Sequence, residues 1–241
     1  RWSWRGPAQD SVTASTSGGP PHPLKADEYG IWKYESGTPG TWTRVSPPEL
    51  DTVVTYNITF ANATTAYAAT GAGVYEGILS GGTWTFSSMG IPVDPVSGTP
   101  REFRDLEIDR TASPIVIYAA ETAPGRAAVW KYSGGAWAEV SSGLNVLPGS
   151  GVGVKGTDPG YSGPDGNRVR IELALSGQGA TTGGPQQILY ARAWTGFWGE
   201  HVQLFRTDTA GEPPAAVGDA WIELPTVMGG STGQYTRLLK V

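Results

Sequence analysis

Three arginines stand at one recurring place in this chain. Arg104 precedes "DLEID", Arg170 precedes "IELAL", Arg237 precedes "LLKV", and the matching position before "NITFA" is Tyr56. A planar guanidinium holds a carboxylate through two parallel hydrogen bonds, so arginines gathered from equivalent strands would make an anion-binding mouth. The same side chains would serve as braces, by capping a neighbouring sheet or by pairing with Asp105, Glu107, Asp109 or Glu172. Asp109 and Glu172 are also candidates for the two carboxylates that a glycoside-hydrolysing cleft needs. Strand alternation explains them equally well as ordinary polar positions. No motif assigns a catalytic residue.

A second candidate is "RAWTGFWGEH" (192–201), which puts Trp194, Phe197 and Trp198 into an expected connection between two strands. Aromatic side chains outside the repeat suit an exposed anchor for a protein partner or a glycan face, or else a small local core. "TDPGYSGPDGNR" (157–168) offers Asp158, Asp165 and Asn167, but its spacing departs from a calcium loop and its residues are those of turns. No metal and no cofactor is expected. "NIT" at 57–59 and "NAT" at 62–64 match the N-glycosylation acceptor triplet, on or beside an expected strand.

These residues need elements to hold them, and composition bounds the choice. The 241 residues are 39% hydrophobic and 16% charged, with 35 Gly and 19 Pro, a balance that fits many short strands joined by turns. The net charge is -5 with no Lys/Arg cluster, which argues against a nucleic-acid partner. No apolar run reaches the about 18–20 residues of a membrane span. Cysteine is absent, so thiol catalysis, disulfides and cysteine-based zinc sites are excluded. The start at "RWSWRG" and the stop at "LLKV" read as those of a mature or trimmed piece.

Aligning "GTWTR" (40–44), "GTWTF" (82–86), "GAWAE" (135–139) and "DAWIE" (219–223) exposes a repeat. Each complete unit holds an inner strand (NITFA, LEIDR, IELAL) and a small-residue strand (AYAAT, VIYAA, ILYAR). An aromatic strand (GVYEG, AVWKY, VQLFR) and a tryptophan strand follow. Complete units span 53–86, 103–140 and 168–224; residues 30–45 supply two strands of a partial unit, and 235–241 supply one inner strand. Residues 1–27 are expected to be irregular. Four strands per unit, repeated, predict an all-β chain, a β-propeller of about three and a half four-stranded antiparallel blades. It would be a fragment of a larger propeller or a closed four-bladed ring. Trp42, Trp84, Trp137 and Trp221 recur with the repeat and are expected to pack between blades.

The tryptophan-hairpin residues resemble the Asp-box (BNR) β-propeller superfamily of sialidases, sortilin-type domains, xyloglucanase-like glycosidases and photosystem II assembly factors. The family motif SxDxGxTW is eroded here to "ESGTPGTW" (35–42), "ILSGGTW" (78–84) and "KYSGGAW" (131–137); only "RTDTAG…DAW" (206–221) keeps an Asp, Asp208. The resemblance covers about residues 28–241. It implies either a non-catalytic scaffold or interaction subunit, extracellular or periplasmic, with protein partners in a larger assembly. The alternative is a carbohydrate-active enzyme or lectin working at the channel mouth. By the same resemblance, a sialidase would use inner-strand arginines such as Arg104, Arg170 and Arg237 to grip a substrate carboxylate.

Overall fold

A computed structural model describes residues 24–26, 29–34, 42–95, 97–123, 126–141, 144, 170–176, 188–195, 201–207 and 221–224. Among them, regular structure is all-β apart from one short 3-10 turn, and no helix is long and apolar enough to cross a membrane. Four antiparallel sheets follow one another along the chain. The first is three-stranded, β1 (Leu24–Ala26), β2 (Ile31–Tyr34) and β3 (Trp42–Arg44) in that order. The second runs β4 (Thr55–Asn62), β5 (Thr65–Thr70), β6 (Gly73–Ser80), β7 (Thr83–Ser88). The third holds β8 (Phe103–Asp109), β9 (Val116–Ala123), β10 (Arg126–Ser133) and β11 (Ala136–Glu139). The fourth holds β12 (Arg170–Leu175), β13 (Leu189–Thr195), β14 (His201–Thr207) and β15 (Ile222–Leu224). In each, strands adjacent in sequence are adjacent in the sheet.

Two tight hairpins explain why the strands before Trp84 and Trp137 turn back where they do. Between β6 and β7 the loop is Gly81-Gly82, with φ of 58° and 82°, closed by the pair Ser80 and Thr83. Between β10 and β11 it is Gly134-Gly135, φ 60° and 86°, closed by Ser133 and Ala136. Two successive residues at positive φ make the turn whose twist matches the flanking strands, and glycine adopts it without a Cβ penalty.

The first and third sheets share a register. "IWKY" (31–34) and "VWKY" (129–132) are their third-strand sequences. Trp32 pairs with Arg44 and Tyr34 with Trp42, as Trp130 pairs with Glu139 and Tyr132 with Trp137. Val45 N–H then bonds Ile31 O at 2.9 Å, as Val140 N–H bonds Val129 O at 2.8 Å. On the other side Lys25 faces Trp32 as Ala119 faces Trp130. The three residues of β1 therefore match the middle of β9, and a strand lies at Leu24–Ala26 where sequence alone suggested irregular chain.

The chain divides into two compact units, Arg1–Leu106 and Glu107–Val241, with the division inside β8. In the first unit, Ile31 and Leu50 from the first sheet and its 3-10 turn (Pro48–Leu50) pack on Ile58, Ala66, Ala68, Tyr75, Trp84 and Phe86 of the second. Arg44 fastens that turn: it reaches Ser46 Oγ at 2.9 Å, Leu50 O at 3.1 Å and Asp51 Oδ1 at 2.7 Å. Lys33 Nζ donates to Gly82 O at 3.1 Å and ties the first sheet to the β6–β7 hairpin. In the second unit, Tyr118, Ala120 and Val129 of the third sheet pack on Ile171, Leu173, Leu189, Ala191, Ala193 and Phe205 of the fourth, with Trp221 beside them. Alternation along β9 and β13 puts every second residue into this layer, which is how a two-faced sheet is buried by its neighbour. Each fully buried aliphatic or aromatic side chain contributes about 1.5–3 kcal/mol.

Candidate functional site

The starts of β4 and β8 lie beside each other, which brings two of the sequence-predicted binding positions together. The Arg104 guanidinium sits over the Tyr56 ring, 4.7 Å from its centroid. One residue further on, Asn57 Nδ2 donates to Asp105 Oδ1. The pairing of β4 with β5 slips between Thr55 and Asn57, so Tyr56 occupies an irregularity in the ladder. A bulge of this kind re-aims its side chain, and here the aim is at the neighbouring sheet's arginine.

Arg104 has a second partner. Its Nε lies 2.6 Å from Glu102 Oε1, with both side chains about four-fifths buried. A charge-assisted bond at that distance, together with the face of an aromatic ring, satisfies a guanidinium from two directions. Sequence reasoning overlooked Glu102. Its signal was the i, i+2 spacing from Arg104, which places both on one side of extended chain, Glu102 standing just ahead of β8.

The other predicted positions are distributed differently. Arg170 opens β12 and Trp194 lies near the end of β13, and the two are direct cross-strand partners in the register. Trp194 is thus a strand residue, also opposite Val202 of β14, and does not belong to the connection between second and third strands as expected. The reason is that β-pairing continues through Thr195 before the chain turns. Arg237, Phe197 and Trp198 lie outside the described residues, as do Asp158, Asp165, Asn167 and Asp208.

Both carboxylates considered for glycoside chemistry have structural duties. Asp109 Oδ1 accepts from the Thr111 N–H at 2.8 Å, the Thr111 hydroxyl at 2.7 Å and the Ala112 N–H at 3.1 Å, holding the turn after β8. Glu172 faces Arg192 across β12 and β13, with Oε2 3.5 Å from Nη1. A third carboxylate, Glu121, is buried in β9 and accepts the Trp130 indole N–H at 2.7 Å. In the second sheet a related pair joins the Tyr67 hydroxyl to Glu76 Oε1 at 3.0 Å. Among the described residues no group of three or more His, Cys, Asp or Glu side chains is placed to hold a metal ion.

The repeat tryptophans differ in surroundings. Trp84 and Trp221 are buried, at 3% and 2% exposure, whereas Trp42 and Trp137 are half-buried. Trp84 stacks near Phe86 and meets Phe60 edge-on, with centroids 6.0 and 5.9 Å away. Trp137 rests on its cross-strand partner Tyr132 at 5.1 Å.

The chain matches no family model, no curated protein and no solved structure.

Proposed function

We propose that the chain is a β-propeller segment without catalytic function that acts as a scaffold or protein-interaction subunit outside the cytoplasm. The four sheets are its blades. The repeated meander order, the shared register of the first and third sheets, and the meeting of β4 and β8 at Tyr56 and Arg104 all support that architecture. β1 lies against β4 as β9 lies against β12, which supports reading β1 as the second strand of a blade.

The observation that carries the non-catalytic reading is the engagement of Arg104 by Glu102 and Tyr56. Glu102 takes its Nε and Tyr56 one face of its guanidinium, an engagement within the protein that suits a brace. Asp109 and Glu172, held by a turn and by Arg192, point the same way. The resemblance to Asp-box propellers supplies the extracytoplasmic setting and the class of partner, another protein in a larger assembly.

The test is the mass of the native assembly, read together with turnover of sialosides and xyloglucan oligosaccharides. A co-purifying second chain with no turnover supports the interaction subunit. A chain purified alone that hydrolyses either substrate overturns it in favour of a carbohydrate-active enzyme.

A further inference from the structure

The two acceptor triplets, alike in sequence, have opposite surroundings. Ala63 and Thr64 form the exposed turn between β4 and β5, and Asn62, exposed at the end of β4, closes it with Thr65. Asn62 Oδ1 accepts from the Thr64 N–H at 2.9 Å and from the Thr64 hydroxyl at 3.0 Å. Thr64 O is fixed in turn by the Leu79 N–H at 2.8 Å. With its oxygen engaged on the protein side, the carboxamide leaves Nδ2 without a partner among the described residues. By contrast, Asn57 is half-buried within β4, and its Nδ2 is spent on Asp105.

We infer that Asn62 is an N-glycan acceptor and that Asn57 is not, a modification that rests on the extracytoplasmic setting proposed above. The donor is an oligosaccharide carried on a polyprenyl pyrophosphate. Asn62 Nδ2 attacks the anomeric carbon of the first sugar, and the new C–N bond forms as the bond from that carbon to the pyrophosphate oxygen breaks. The electron pair leaves with the polyprenyl pyrophosphate, one amide proton is released, and nothing is oxidised or reduced. A glycan at this turn projects into solvent and leaves the β4–β5 ladder whole, in keeping with the surface placement such bulky groups require. On Asn57 it would displace the bond to Asp105 and drive a sugar against β8.

The experiment secretes the full chain from a eukaryotic host behind a supplied leader, and reads intact mass and peptide map before and after enzymatic deglycosylation. One glycan is expected, at Asn62, lost in both Asn62→Gln and Thr64→Ala and retained in Thr59→Val, which removes the other triplet. Gly81→Asn is the positive control: it completes a triplet with Gly82 and Thr83, in a turn where an added Cβ meets nothing within 4 Å. Secreted chain with Asn62 empty while Gly81→Asn carries a glycan overturns the inference, as does a glycan on Asn57. Because the leader is supplied, these outcomes are independent of the native compartment. That is read separately, by fractionating the source cells, and a cytosolic result there would overturn the extracytoplasmic setting and leave the acceptor geometry standing.

Discussion

Trp221 donates its indole N–H to the backbone carbonyl of Val140 at 2.6 Å, across 81 residues of sequence. The bond joins the entry to β15 with the residue that follows β11, so the tryptophan of the fourth sheet is latched to the end of the third. Removing it tests the packing account at its tightest point. Trp221→Ala is expected to cost about 3–5 kcal/mol, the range for large buried aromatics. Trp221→Phe should still cost about 1 kcal/mol beyond lost area, because the Val140 carbonyl is left without its donor. Urea unfolding of the two variants checks both figures.

Trp84 and Trp137 hold the same place in the repeat, yet their alanine variants should differ. Trp84 is enclosed by the first-unit core, and its indole nitrogen is buried without a partner. Trp84→Ala should therefore fall in the full range of about 3–5 kcal/mol, and half-buried Trp137 should lose about half as much. Trp84→Phe should also be milder than Trp221→Phe, since it removes a donor that bonds nothing. Equal melting losses for the two alanine variants would contradict this.

Gly77 and Phe86 are cross-strand partners, and the phenyl ring lies where a Gly77 side chain would be. A Cβ at Gly77 would run into the Phe86 ring. Gly77→Ala is expected to destabilise by about 1–3 kcal/mol through overpacking. Adding Phe86→Val should recover part of that loss. A double-mutant cycle reads the coupling, and additivity within about 0.5 kcal/mol would contradict the contact.

Alkaline pH offers a fourth check through Tyr75. Burial, and secondarily the negative charge of Glu49, hold its phenol above the ordinary tyrosine pKa. The unfolded chain releases that proton near pH 10 while the folded chain keeps it, so the contribution is intact below about pH 10 and falls as pH rises further. Tyr75→Phe should flatten the fall in melting temperature between about pH 9 and about pH 11 relative to wild type. An unchanged slope would contradict the assignment.

Much of this was legible in the chain. Alternation located β4 to β15, and the "SGG" triplets before Trp84 and Trp137 marked their hairpins, because each signal is local. β1 was not legible: "LKA" is three residues long, follows a Pro-rich stretch, and becomes a strand only through its pairing with "IWK". Trp194 was misplaced because Gly196 signals a turn, while the ladder it belongs to is set by β12 and β14. The role of Arg104 was open for a similar reason. Guanidinium chemistry suits a ligand and a brace alike, and the approach of Tyr56 and Glu102 could not be read from either strand alone. The unequal burial of Trp84 and Trp137 depends on what covers each sheet, which no local pattern encodes.

The central claim, that Arg104 braces the fold and does not grip a substrate, is tested most directly by Arg104→Ala, with stability and glycoside turnover measured on the same material. The account predicts a loss of about 1–2 kcal/mol, from the ion pair to Glu102 and the contact with Tyr56, and no turnover before or after the change. Hydrolysis of a sialoside or a xyloglucan oligosaccharide by the wild-type chain, abolished in Arg104→Ala at an unchanged melting temperature, would contradict it.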